Sequence, residues 1–437
     1  MINLAKICLV ITVFGQIAYN SAIYYADVPH PSYPVWGILY LTVAILFARG
    51  AAPKEITRTD LLYVACSGWT VLSFATSGQS DAAAFIAMMA QFVVLPYIVG
   101  RFVGRYFTLA DFRKVYMLAA IMLALVLVER ARHPELFEGG DRLKVFTTDI
   151  HDPLQGGIAF FMASLFGSVV VIALSILTLP KKDMTIAGVR PLRWHQIAGG
   201  ISLMVVFLWG SRGALVGLMA TCLSIFAPRL RIAPGRVMMA LCLVAIAFVG
   251  LYNVLPPERQ AFIDEIPNGL ASLGQSTICI QGETSVLAHL TYWRESAKLI
   301  GQYPLFGVGA GNFGHYWCGD NIDFMSPHSS ILHALVDTGI AGAAVWMAML
   351  WSVVQLYRYN APLSGEAHIL SRTLFLIWVF TFLVAQLNGN LYSDYQLYAL
   401  TGVLVSYISH KRARAPARSR IVAAAGGETH SVASQPA

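Results

Sequence analysis

Apolar stretches close to the length of a bilayer recur along almost the whole chain. A membrane-spanning helix needs about 20 predominantly apolar residues. Twelve segments approach that pattern, near 4–24, 33–48, 61–78, 83–100, 115–129, 156–179, 194–210, 213–227, 237–254, 339–357, 373–387 and 392–409. Inside lipid every backbone N–H and C=O must find a partner within the protein, which leaves helices and closed barrels as spanning forms. Runs this long and this apolar predict helices. With 57% hydrophobic and 12% charged residues and a mean hydropathy of +0.62, the chain is too apolar for a soluble globule. It reads as an all-α polytopic membrane protein of about twelve transmembrane helices. The first segment lacks a convincing small-residue cleavage site and is expected to stay attached.

Orientation follows from where Lys and Arg fall. An inside amino terminus places 22 of the 30 basic residues on the inner side, including Lys6, Arg49, Arg101, Arg105, Lys181, Lys182, Arg229 and Arg358. Both termini are therefore expected in the cytoplasm. Basic loops held at the anionic inner leaflet account for the net charge of +7 without a nucleic-acid partner. The chain divides into nine spans over 1–254, a large, partly helical outer loop over 255–338, three spans over 339–410, and a basic tail over 411–437. The tail is Ala-, Gly- and Ser-rich, without apolar periodicity, and is expected to be disordered. The first five spans carry nothing polar deep within them and read as scaffold.

Potential chemistry gathers on the outer side. In the loop 131–155, Arg142 or Lys144 is placed to bind an anion at the mouth of a site, although a solvated loop explains the same residues. Arg212, in FLWGSRGALVG, stands at a membrane edge on the side the charge rule disfavours. A charge near the bilayer centre costs roughly 2.5 to 3.5 kcal/mol, less at the edge, so Arg212 needs a partner. A phosphate suits it, because the planar guanidinium holds two phosphate oxygens and stays charged when poorly solvated. Snorkelling to the interface is the alternative.

The large loop holds most of the remaining candidates. Residues 284–301 show Leu287, Leu290, Ala297 and Ile300 at helical spacing, which predicts an amphipathic helix with Arg294 on or beside its apolar face. Lys298 lies one turn further on. The following PLFGVGAGNF spaces glycines at 307, 309 and 311; such a run either lets the backbone approach a ligand or makes a tight structural turn. In SPHSSILHALVDTGIAG, Ser326 is placed to cap a short helix, Pro327 fits its first turn and Gly339 ends it. His328 then sits at a helix amino terminus, where the dipole disfavours the imidazolium form, as suits a general base. His333, five residues on, points elsewhere; packing and substrate contact are both open for it. Trp293 and Tyr316, with Tyr292 and Trp317, are placed to stack on sugar rings or to pack the loop onto the membrane. Cys279 and Cys318, the cysteines outside the spans, are either a disulfide, worth roughly 4 kcal/mol for a loop of this length, or two independent thiols.

The amphipathic helix with Arg294, the PLFGVGAGNF turn, and His328-Ser329 followed nine residues later by Gly339-Ile340-Ala341-Gly342 resemble the signature of bacterial O-antigen ligases, within the wider O-antigen ligase and polymerase superfamily. The resemblance covers about half the chain. It implies a Gram-negative inner-membrane glycosyltransferase with a periplasmic active site, moving polysaccharide from undecaprenyl diphosphate to a sugar of the lipid A core among the membrane lipids. It implies inversion at the anomeric carbon, no cofactor and no metal. His328 resembles the family's essential histidine, Arg212 and Arg294 its periplasmic arginines, and Arg142 matches more weakly. An O-antigen polymerase or a protein O-oligosaccharyltransferase would share donor, histidine and arginines and differ in acceptor; the short chain and the histidine motif favour the ligase. A secondary transporter would show ionisable residues near the midplane and repeated halves, whereas here the charges gather at one face and no repeat is visible.

Overall fold

A computed structural model describes residues 2–14, 32–50, 53, 55–77, 82–132, 155–179, 192–208, 212–226, 285–316, 326–359, 365–388, 390–392 and 394–414. Every regular element among them is helical. The first half contributes α1 (Ile2–Phe14), α2 (Ser32–Ala48) and α3 (Arg58–Ala75). Then α4 (Ala82–Met88) runs through a π-helical turn (Met89–Val94) into α5 (Leu95–Val103), followed by α6 (Phe112–Arg132), α7 (Gln155–Leu177), α8 (Leu192–Leu208) and α9 (Arg212–Phe226). The second half contributes α10 (Ser285–Gln302), the single turn α11 (Phe313–Tyr316), α12 (Ser330–Tyr359), α13 (Gly365–Asn388) and α14 (Tyr395–Arg414). Among the described residues, Phe85–Tyr106, Ser330–Tyr359 and Gly365–Leu387 are long and apolar enough to cross a membrane. Each of the apolar segments expected from sequence contains a helix except 237–254, which lies outside the described residues.

Lipid tails are as apolar as leucine, so helices in a membrane associate by close packing of small residues. The pairing of α5 with α14 shows this. A Cβ on Gly100 would lie 2.3 Å from the Ala399 carbonyl oxygen, and one on Gly402 2.3 Å from that of Tyr97. Elsewhere α13 packs against both α7 and α9, and α12 runs along α3. At the start of α3, Thr57 and Asp60 form a capping box. The Asp60 carboxylate also accepts from Arg101 Nε at 2.7 Å, Arg101 Nη2 at 2.9 Å and the Tyr97 hydroxyl at 2.7 Å. Arg101, read from sequence as a loop cation, is thus buried in the last turn of α5.

The far end of α3, about 20 Å away at 1.5 Å per residue, meets the feature that positions the candidate site. Helix α12 is broken at Gly339, whose backbone adopts φ 65° and ψ −173°. In an unbroken helix the Ile340 and Ala341 amides would donate to the Val336 and Asp337 carbonyls. Instead they donate to Pro304 O at 2.8 Å and Leu305 O at 3.3 Å. The released carbonyls are taken up by the Val308 amide, which donates to Val336 O at 2.8 Å, and by the Gly309 amide, which donates to Asp337 O at 3.1 Å. From α3, Trp69 Nε1 donates to Thr338 O at 3.2 Å and Ser73 Oγ to Asp337 O at 2.7 Å. Ser73 Oγ accepts in turn from the Ala310 amide at 3.1 Å. The first five apolar segments are therefore more than a nonpolar scaffold: α3 supplies polar side chains to this junction.

The alternate glycines make the junction possible. Gly307 and Gly309 have φ of 74° and 96°, and a Cβ on Gly307 would stand 2.4 Å from Val336 O. The reading of this run as a tight structural turn is the one the geometry bears out, since the amides of 308 to 311 are all spent on protein acceptors.

Two stability effects follow. Removing one partner of a buried ion pair leaves the other charge stranded, so Arg101→Ala should cost the detergent-solubilised protein about 3 kcal/mol, read as a lowered thermal unfolding midpoint. Gly307→Ala combines a left-handed backbone with a clash against main chain, and a loss of about 2 to 4 kcal/mol is expected. Limited proteolysis should then cut within 303–312 faster than in the wild type.

Candidate functional site

The part of α12 before the break, residues 330–338, is a half-helix that carries His328 at its head. Its cap is Ser329, not the expected Ser326. The Ser329 hydroxyl accepts from the Leu332 amide at 3.4 Å, and its carbonyl from the His333 amide at 2.8 Å. Ser326 and Pro327 are buried in the strap leading in. His328, one residue before the cap, has a φ of 55° and is half-buried. A left-handed backbone is uncommon for a residue with a Cβ, although His is among the types enriched there. It turns the imidazole to the ring of Tyr292 on α10, edge to face with centroids 5.0 Å apart.

Helix α10 forms where amphipathic periodicity predicted it, but its buried face is shifted. Thr291, Ser296 and Leu299 are buried, whereas Ala297 is exposed. Leu299 joins Val308, Phe313 and Val336 in a small apolar cluster, with Tyr292 and Ile300 packed on it. That cluster docks α10 on the glycine loop and the half-helix. Arg294 stands at the margin of this face, its side chain 23% exposed, with Nε donating to Glu295 Oε1 at 3.0 Å. Lys298 donates to the same oxygen at 2.8 Å and is the more exposed of the two cations. One carboxylate thus lies between two cations and leaves a net positive charge on this face. Trp293 is 37% exposed and Tyr316 44% exposed, the latter beside Tyr303 with ring centroids at 5.8 Å.

His333 is fully enclosed. Its Nδ1 accepts from the Leu391 amide at 3.1 Å, and its ring meets Tyr392 edge-on at 4.7 Å. Its Nε2 lies 3.1 Å from Asp337 Oδ2, off the hydrogen-bonding direction. Asp337, equally enclosed, receives the Gly311 amide and the Tyr392 hydroxyl on Oδ2, each at 2.7 Å. Arg212 opens α9, with its side chain outside the described residues, and Arg142, Cys279 and Cys318 also lie outside them.

The structure brings His328, Tyr292 and the helix bearing Arg294, Lys298 and Trp293 into one neighbourhood. Sequence reasoning missed Glu295, Asp337, Ser73 and Tyr392. A signal existed for Asp337, an acid ahead of GIAG at the edge of an apolar run, where ionisable residues are costly and seldom without a purpose. The polar turn NGNLYSDYQ between the last two apolar segments was a weaker one. Nothing local marked Ser73, whose partners are more than 230 residues away.

A search of curated proteins finds no match to the chain. A family model described as O-antigen ligase matches residues 197–347, about a third of the chain. The matched stretch runs from α8 through Arg212, α10, the glycine loop and His328 past the break in α12, and this similarity supports a relation to the O-antigen ligase and polymerase superfamily.

Proposed function

We propose that the chain is an O-antigen ligase, a metal-independent inverting glycosyltransferase of the Gram-negative inner membrane with its site on the periplasmic face. The donor is polysaccharide on undecaprenyl diphosphate and the acceptor a sugar of the lipid A core. The observation that carries this reading is the placement of His328 on Tyr292, two residues before Arg294 on the same helix, within the stretch similar to O-antigen ligases.

A sugar hydroxyl is a poor nucleophile. His328 takes its proton as the oxygen attacks the anomeric carbon from the face opposite the lipid diphosphate. The new glycosidic bond forms as the bond to the diphosphate breaks, and the departing group carries away the electron pair. Arg212 and Arg294 stabilise that growing negative charge where water is scarce and fixed cations act strongly. Glu295, bonded to Arg294 and Lys298, orients both side chains while leaving the face cationic. Lys298 and Arg142 guide the anionic donor, and the exposed rings of Trp293 and Tyr316 give sugars apolar faces to stack on.

Cells whose only copy carries His328→Ala test this by the banding of their lipopolysaccharide, with membrane insertion checked separately. Losing a positioned base lowers transfer by about 10² to 10⁴-fold. The expected gel shows lipid A core without polymer, while long chains persist on the undecaprenyl carrier. Core capped by a single repeat unit would identify a polymerase instead. An unchanged ladder would remove His328 from the chemistry.

A further inference from the structure

Asp337 makes hydrogen bonds to several parts of the fold at this junction, and no step in the proposed chemistry uses it. Its side chain is 0% exposed. Through Oδ2 it holds the Gly311 amide of the glycine loop and the Tyr392 hydroxyl of the α13–α14 connection. Through its main-chain oxygen it holds Gly309 and Ser73. Behind it His333 fills the remaining side, with Nδ1 accepting from the Leu391 amide and Nε2 3.1 Å from Asp337 Oδ2. Four parts of the fold therefore converge on one buried acid: the half-helix that carries His328, the glycine loop continuous with α10, the α13–α14 connection, and α3.

We infer that Asp337 is a positioning residue: its carboxylate clamps the glycine loop to the half-helix and so fixes α10, with Arg294, relative to His328. Main-chain hydrogen bonds tie the loop to α12 through Val308 and Gly309, and the Asp337 carboxylate extends that attachment to Gly311, beside the small cluster around Leu299, Val308, Phe313 and Val336 and the ring contact of Tyr292 with His328. Hydrogen bonds to a charged acceptor are about twice as strong as neutral ones, and a buried carboxylate left with fewer donors is strongly destabilised. Either effect holds the Gly311 amide and the Tyr392 hydroxyl in place. A displacement of 1 Å between acting groups can lower a rate about 10²-fold.

This inference rests on the transferase reading for the identity of the acting groups, and its test separates the two. Asp337→Asn keeps the shape and removes the charge; Tyr392→Phe removes one donor and keeps the ring. Both full-length proteins are compared with the wild type in detergent by hydrogen–deuterium exchange and by transfer of purified lipid-linked polysaccharide to lipid A core. In Asp337→Asn, amides in 307–312 should exchange at least about tenfold faster while α5 and α14 keep their protection. The kcat should fall by about 10²-fold with KM for the donor changed by less than about threefold. Tyr392→Phe should move both readouts the same way by less, and it decides the matter alone if Asp337→Asn does not fold.

Unchanged exchange in the loop would overturn the clamp whatever the activity. Faster exchange with an unaltered kcat would leave Asp337 as a stability element and overturn positioning, as would a rise in KM at constant kcat. A wild-type protein that transfers no polysaccharide would sink the transferase reading, and positioning with it; the exchange data would still show whether the clamp exists.

Discussion

The structure around the candidate site depends on one constraint, that a helix broken beside an apolar bundle must find new partners for the backbone groups it releases. An unsatisfied amide or carbonyl in such surroundings costs several kcal/mol. At Gly339 two helical hydrogen bonds are given up, and the glycine loop makes four with the four freed groups. The exchange requires the loop backbone to lie directly on that of α12. A Cβ at either Gly307 or Gly339 would meet the opposing main chain within 2.4 Å. The two glycine clusters, far apart in sequence, are thus the two halves of a single junction, and each is meaningful only beside the other.

What the junction provides is direction. Were α12 unbroken, His328 would continue the axis of a long apolar helix. The turn at Gly339 lets the half-helix take its own course, with its amino end and His328 against α10. The partial positive charge of that amino end then lies beside the helix that carries Arg294 and Lys298, and Glu295 prevents those two cations from simply repelling each other. A cationic region at the edge of a nonpolar bundle suits an anion that arrives on a lipid.

How much of this could be read from sequence follows from the range of the interactions. The helices were legible because apolar runs of their length leave few alternatives, and α10 because its period is local. His328 was legible by type and by the helix start expected from Ser326 just ahead of it. The cap was misplaced by three residues because Ser326 and Ser329 are both competent; what decides between them is the left-handed turn at His328, forced by tertiary contacts. Periodicity put Ala297 on the buried face of α10, whereas Ser296 is buried, because the surface beneath is a polar-edged junction and not a uniform apolar wall. The glycine run was legible as an element needing close approach but not as to what it approaches. Asp337 was not singled out from sequence, and its partners at Gly311 and Tyr392 show why an acid stands there.

Those partners also bear on what a match to residues 197–347 means. The stretch contains the half-helix, the glycine loop and α10, yet it does not satisfy itself. The Ile331 amide donates to Gln386 Oε1 at 3.1 Å, the Ser330 hydroxyl reaches Asp394 and Ala385 O, and His333 Nδ1 is met by Leu391, all from the α13–α14 region. From the other side, Ser73 and Trp69 close the broken helix. A left-handed histidine ahead of a helix is held only if the helix cannot rotate, and rotation is blocked at its amino end by α13 and at its carboxyl end by α3. The matched segment therefore carries the groups proposed to act on a substrate, while the helices outside it hold those groups still. A chain that kept the motif and lost Ser73, Gln386 and Tyr392 would keep the chemistry in its sequence without the geometry that makes it usable.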